Sequence, residues 1–315
     1  MKKLRRKFYY FGALILSKLV LLIPYKLAVN QVSRALGSLA YFFVWDARAK
    51  ARKNLALCFP EKSTAELNAI LRKVLINQAK NFFELANFPR LKGKFFNEIS
   101  EMENKDLILK ALEGGKGILF SSAHAGNWEI TAASVAANGI PVNVIAKRIY
   151  IDDLNNLLVS YRNSKNVKVI LRSAPDSARK MLKALKNNET LAMLIDQDTE
   201  KVQGVFVNFF GRKAYTPSGL AALALRTGTP VFFGVDMRVG EYKHKTVIKG
   251  PVTITPTGNT EQDILLLTQK LSDILEDHIR QYPDQWVWFH ERWRTQPPAM
   301  AQPLQADKRT QQKNT

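Results

Sequence analysis

The apolar positions of this chain fall into two patterns. Between Gln31 and about Phe88 they recur at helical spacing: Val32, Leu36, Leu39, Ala40 and Phe43 share one face, and Leu67, Ile70, Leu71, Leu75 and Phe82 share another. The second group follows Ser63-Thr-Ala-Glu66, in which serine and glutamate can each satisfy the other's free backbone N–H, a capping-box start. From about Lys105 the pattern changes. Short apolar runs over 117–120, 142–146, 167–171, 191–195 and 231–235 lack polar alternation, which predicts strands covered on both faces. Helical spacing returns over 128–137, 152–161, 175–186, 217–226 and 260–282. Thr216-Pro217 reads as a cap followed by proline at the first helical position, and Gly228 as the stop. Alternating strands and helices predict an α/β fold, a mixed and largely parallel sheet flanked by helices, behind an N-terminal helical region. The tail 297–315, rich in Gln, Pro and Lys, reads as disordered.

The first residues, MKKLRRKFYYFGALILSKLVLLIPYK, join a basic cluster to an apolar run over 8–23 that stops before Pro24. A spanning helix wants about 20 apolar residues; this run is shorter and carries Lys18. A signal peptide shares the basic start, but no small-residue cleavage site follows. A helix lying in or dipping into a membrane face, with Lys2 to Lys7 on anionic head groups, fits better. Residues 1–27 are therefore read as a membrane anchor, with its depth left open and a buried core helix as the alternative. A single domain over 28–296 follows.

Composition narrows the partners. At 46% hydrophobic and 23% charged, the 315-residue chain is neither disordered nor polytopic. Lys+Arg 47 against Asp+Glu 27 leaves a net charge of +20, so acidic partners are expected: nucleic acid, anionic lipid or an acidic protein. The basic residues are dispersed and accompany no helix-turn-helix or RNA-binding signature, which argues against nucleic acid. The single cysteine, Cys58 in LALCF, permits no internal disulfide and reads as a small buried thiol. There is no CxxC, and His244, His278 and His290 miss zinc-ligand spacing, so no metal or other cofactor is expected.

One short stretch carries chemistry. The run 117–120 delivers SSAHAGNWEI, placing His124 just beyond a strand's carboxyl end, where open α/β sheets bind ligands. On a continuous helix His124 and Glu129 would lie roughly 140° apart. They converge only if the chain turns between them. Gly126 tolerates positive φ and Asn127 can cap the following helix, so Ala125-Gly126-Asn127 suits that turn. A carboxylate accepting from imidazole Nδ1–H would leave Nε2 as a base. The plainer reading makes Glu129 a helix-dipole partner and His124 a satisfied strand-end histidine; spacing, glycine and position together favour catalysis.

HAGNWE resembles the H-x4-D/E motif of the glycerolipid acyltransferases, and its flanks resemble the lipid A late acyltransferase branch. Further blocks are similar to that family in the same order: Asp196-Gln197-Asp198, Gly204-Val-Phe-Val-Asn-Phe-Phe-Gly211, the helix start Thr216-Pro217-Ser-Gly219, and the closing Tyr282-Pro-Asp-Gln-Trp286-Val-Trp288-Phe-His-Glu-Arg-Trp293. Asn208 departs from the usual proline, and Asn166 from a frequent glycine; asparagine is the next-best residue at positive φ. The resemblance implies a glycerolipid acyltransferase-like fold and an O-acyltransferase of lipopolysaccharide biosynthesis. It implies acyl-carrier protein as donor and a lipid A precursor or other glycolipid as acceptor, on an anionic membrane surface at the cytoplasmic face of the inner membrane.

The same resemblance implies roles. His124 deprotonates the acceptor hydroxyl, Glu129 orients His124, and Asn127 or turn N–H groups hold the oxyanion. Arg162 binds a substrate phosphate or carboxylate, or is a surface arginine. Asp198 lies on the same sheet edge as His124, or is a loop cap. Phe206, Phe209 and Phe210 line an acyl groove or pack in the core. Within the superfamily, a lysophospholipid or glycosylated phosphoinositide is the alternative acceptor. Outside it stand a basic nucleic-acid-binding protein and a non-enzymatic membrane scaffold.

Overall fold

The computed structural model describes residues 2–199 and 202–298; all but the first two residues of the tail 297–315 lie outside them. Among the described residues nine strands form two sheets. In chain order they are β1 (Ser100–Glu103), β2 (Ile118–Ser122), β3 (Val142–Ala146), β4 (Val167–Leu171), β5 (Thr190–Leu194), β6 (Gly204–Phe209), β7 (Arg212–Pro217), β8 (Val231–Arg238) and β9 (His244–Lys249). The main sheet runs β1-β9-β8-β2-β5-β3-β4, while β6 and β7 form a separate hairpin. Every pairing in the main sheet is parallel except β8 with β9. The mixed, largely parallel sheet flanked by helices is therefore present. Its parallel members bring the carboxyl ends of β2, β5, β3 and β4 to one edge.

The five apolar runs became β2, β3, β4, β5 and β8 within two residues at their starts, because strands covered on both faces need unbroken apolar sequence. All five residues of β2 are buried, the central place its composition demands. The other four strands lack such runs. β1 is Ser-Glu-Met-Glu, and β9 mixes lysines with apolar residues. The hairpin β6/β7 turns at Phe210-Gly211, where both residues have positive φ, as a tight two-residue turn requires.

Helix Trp128–Ala137 spans the expected residues, Thr260–Gln281 ends one residue early, and the capping box at Ser63 is formed. The helix start expected at Thr216-Pro217 is not there. Both residues close β7, the helix begins at Gly219, and Thr216 Oγ1 donates to the Ala214 carbonyl instead of capping. Gly228 does end that helix in the left-handed conformation, and Asn166 takes the positive φ proposed for it. Phe209 and Phe210 pack in the core against Trp286 and Trp288, with no part in a groove.

At the N-terminus, helix Lys2–Val20 is followed after a turn by helical residues through Phe43. Among the described residues no single helix is long and apolar enough to cross a membrane. The pair Tyr9–Val20 and Tyr25–Phe43, bent by 116°, meets that length and composition only together. Phe11, Ile15 and Leu19 on the first helix, and Leu39, Phe42 and Phe43 on the second, lie exposed.

Candidate active site

His124 sits where the sequence placed it, two residues beyond β2, but its partner is not Glu129. Its Nδ1 lies 2.8 Å from Asp196 Oδ1, at the carboxyl end of the adjacent strand β5. Asp196 Oδ2 accepts from the His124 backbone N–H at 2.9 Å and from Trp286 Nε1 at 2.9 Å. Three donors thus fix this wholly buried carboxylate. Burial opposes its charge, yet His124 outweighs burial and holds the Asp196 pKa well below the usual carboxylate range, so Nδ1 carries the shared proton. Burial likewise opposes the His124 imidazolium, but Asp196, with a smaller push from Glu129, raises its pKa above the ordinary 6.5. Nε2 has no protein hydrogen bond among the described residues, and the ring borders a cleft. A general base with an orienting carboxylate would have this geometry.

Glu129 makes no hydrogen bond to the imidazole among the described residues. It lies in the first turn of helix Trp128–Ala137, and Arg162 grips it with both prongs, Nε to Oε2 at 2.8 Å and Nη2 to Oε1 at 2.6 Å. The contact with His124 expected of Glu129 is made by Asp196. Arg162 is no surface arginine: its side chain is only 14% exposed, and it borders the cleft and a neighbouring cavity. Geometry of this kind separates arginine from lysine. Arg162→Lys and Glu129→Gln are each expected to lower kcat/KM by about tenfold or more. A double-mutant cycle should show coupling of about 1–3 kcal/mol; additive losses would dissolve the pair's functional coupling.

Asn127 is also spent elsewhere. It is 1% exposed, its Oδ1 accepts from the Glu129 and Ile130 N–H groups, and its Nδ2 donates to Glu84. An oxyanion role does not fit that placement. The turn N–H groups of His124, Gly126 and Asn127 are bonded too, to Asp196, the Gln285 carbonyl and Asp236. Asp198 keeps to the cleft edge, where its carboxylate accepts from Thr295 N–H at 2.7 Å and pairs with Arg294.

Behind the turn lies a buried network that the sequence reading missed. Glu84, on helix Thr64–Ala86, accepts from Arg238, His244 and Asn127, while Asp236 accepts from His244 Nδ1 and the Asn127 N–H. Asn81 donates to the Gly126 carbonyl and accepts from Arg238. Two carboxylates and two cations balance. Burial opposes the His244 charge, but Asp236 and Glu84 push its pKa up to about 9, so it is an imidazolium at neutral pH. Gly126 has φ +56°, and a Cβ there would lie 2.0 Å from the Asp236 carbonyl oxygen, so only glycine fits. Two signals were visible: Asp236 interrupts the apolar run Val-Phe-Phe-Gly-Val, and Glu84 sits beside Phe82 and Phe83.

Two spaces adjoin beside His124, across Trp128 and Arg162. An open cleft of about 550 Å³ lies along the carboxyl ends of the strands, bordered by His124, Trp128 and Arg162. A narrower cavity of about 50 Å³ runs between the sheet and helix Trp128–Ala137, walled by Phe120, Ala132, Val135, Val142 and Val144. Trp128, Arg162, Ile145, Met193 and Leu194 border both. His124 thus borders the cleft, and Arg162 stands where the cleft adjoins the apolar cavity.

Known proteins are similar to this chain in sequence. Phosphatidylinositol mannoside acyltransferase of Mycolicibacterium smegmatis is 25% identical over 252 residues, covering 77% of this chain and 78% of that protein. The lipid A biosynthesis lauroyltransferase of Escherichia coli is 25% identical over 283 residues, 89% of each chain. A lipid A biosynthesis acyltransferase of Haemophilus influenzae is 24% identical over 253 residues, 79% of this chain and 76% of that one. The family model for bacterial lipid A biosynthesis acyltransferases matches residues 1–295, from the N-terminal helix through the cleft to the closing tryptophans. On that match, this chain belongs to the bacterial lipid A biosynthesis acyltransferase family.

Proposed function

We propose that the protein moves a fatty acyl chain from acyl-carrier protein to a hydroxyl of a lipid A precursor, at the cytoplasmic face of the inner membrane. Its family makes it an acyl-transferring enzyme of glycolipid biosynthesis. The observation that carries the reading further is the His124–Asp196 pair at a cleft that adjoins an apolar cavity across Trp128 and Arg162. His124 Nε2 takes the proton of the acceptor hydroxyl as its oxygen attacks the thioester carbonyl. Asp196 steadies the imidazolium, which returns the proton to the departing thiolate. The apolar lining of the cavity suits the methylenes of a fatty chain, for which it would have to widen, and Arg162 stands between it and the cleft. A net charge of +20 suits both an acidic carrier protein and an anionic leaflet. The exposed apolar faces of the first helices suit insertion at the interface.

A second acceptor, a mannosylated phosphoinositide, is favoured by the similarity to the Mycolicibacterium smegmatis enzyme. Mass spectrometry of lipids from cells with and without the protein separates the two. The expected result is a difference of one acyl chain on lipid A precursors, together with flotation of the purified protein on anionic vesicles. A difference confined to phosphoinositide mannosides moves the acceptor, and none on any lipid removes the reading.

A further inference from the structure

The cleft carries more positive charge than its own carboxylates use. Among the described residues bordering it, Lys147, Arg162, Arg172 and Arg294 face a single acid, Asp198. Arg294 pairs with Asp198, and Arg162 with Glu129 of the adjoining cavity. The remaining carboxylate at this edge, Asp196, is taken by His124. Lys147 and Arg172 have no ion-pair, side-chain hydrogen-bond or ring partner among the described residues. Their neighbours show the contrast: Arg148 is held by Asp152, and Lys180 by Asp176.

Topology sets these two cations side by side. Lys147 is the first residue beyond β3 and Arg172 the first beyond β4; Ala146 and Leu171 are register partners, and the Arg172 N–H donates to the Ala146 carbonyl at 3.0 Å. Along the edge β3 stands two strands from β2, and β4 three. At the usual strand spacing the cations lie about 10 and about 14 Å from the strand that delivers His124. We propose that Lys147 and Arg172 form an anion subsite that holds a substrate phosphate while His124 works on a group several bonds away. An extended chain needs roughly 8–12 bonds to cover that distance.

Arg172 supplies a planar fork for phosphate oxygens and Lys147 a mobile point charge. Two sources share the chemistry, the phosphodiester of a carrier-protein arm and a phosphate on the acceptor sugar. The subsite deepens the acyl-transfer reading and rests on it for the identity of the substrate, though not for the binding of phosphate.

The test uses the full chain, with Lys147→Gln, Arg172→Gln and Arg172→Lys. Inorganic phosphate is titrated calorimetrically into each, and kinetics compare acyl-carrier protein with acyl-pantetheine, and a phosphorylated acceptor with its dephosphorylated form. Phosphate binding is expected in the wild type, lost in both Gln variants and partly kept in Arg172→Lys. For one phosphate-bearing substrate kcat/KM should fall about 10–100-fold, the loss of a charge-assisted hydrogen bond. A fall in the donor comparison assigns the phosphate to the carrier arm, and a fall in the acceptor comparison assigns it to the sugar. Absence of phosphate binding to the wild type, or equal binding by both Gln variants, overturns the subsite while leaving acyl transfer standing. Phosphate binding lost in the variants of a protein that transfers no acyl group keeps the subsite and removes the acyl-transfer reading.

Discussion

Asp196→Asn is expected to lower kcat by about 10³–10⁴-fold, as much as His124→Ala, although Asp196 lies outside the HAGNWE stretch. The neutral amide cannot hold the Nδ1–H tautomer and gives the imidazolium no counter-charge. The acid limb of the pH profile separates this cause from a folding defect. His124 must be neutral to act as a base, and its raised pKa places that limb above the ordinary 6.5 in the wild type. Without the Asp196 carboxylate, burial is the larger influence left, so the limb should move to lower pH while the plateau collapses. Thermal unfolding and vesicle flotation of both variants should match the wild type. Near-wild-type turnover by Asp196→Asn, or an acid limb that stays in place, would return the orienting role to Glu129.

Removing one member of the buried network behind the turn should cost more stability than any other change considered. Arg238→Leu strands Glu84, which is wholly buried, without its strongest counter-charge. Breaking a buried ion pair from one side costs about 3–5 kcal/mol, and in a domain of this size that lowers Tm on the order of 10 °C. The double change Glu84→Leu with Arg238→Leu should recover most of the loss, because Asp236 and His244 still neutralise each other. The network also sets a pH window. The His244 pKa rises from 6.5 unfolded to about 9 folded, so its stabilisation is complete below 6.5 and is lost as pH rises through 9. Burial opposes the Glu84 charge, but Arg238 and His244 lower its pKa, so its share is present above 4.5 and lost as pH falls. Differential scanning calorimetry across pH reads both slopes; a Tm that is flat from pH 6.5 to 9 would deny the charged His244.

What could be read beforehand follows from how far each feature reaches along the chain. Buried parallel strands advertise themselves locally, and so did the turn at Gly126, the capping box and the stop at Gly228. Strand β1 could not be read, because its four residues include one apolar side chain and it survives by pairing with β9 at the sheet edge. The base was legible from the turn, but its partner was not. Asp196-Gln197-Asp198 offered two aspartates two residues apart, and only the docking of β5 beside β2 decides which one meets His124. Asp198 drew attention and turned out to anchor the chain near Thr295. Glu129 misled for a related reason: sequence shows nearness along the chain, whereas Arg162 reaches it from another helix.

The closing tryptophan segment has a consequence for how the molecule comes into being. Gly126 N–H donates to the Gln285 carbonyl, Val287 N–H donates to the His124 carbonyl, and Trp286 holds Asp196, so the turn is clasped by residues about half the chain away. Contacts so distant in sequence form late, after the loop between them has closed. During synthesis the ribosome has delivered every strand of the sheet before it delivers Gln285. A nascent chain can therefore hold its sheet while its base and carboxylate still lack the clasp that aligns them. The pair is set only once residues 285–287 are delivered, and a chain stopped short of them remains a scaffold without an aligned His124–Asp196 pair.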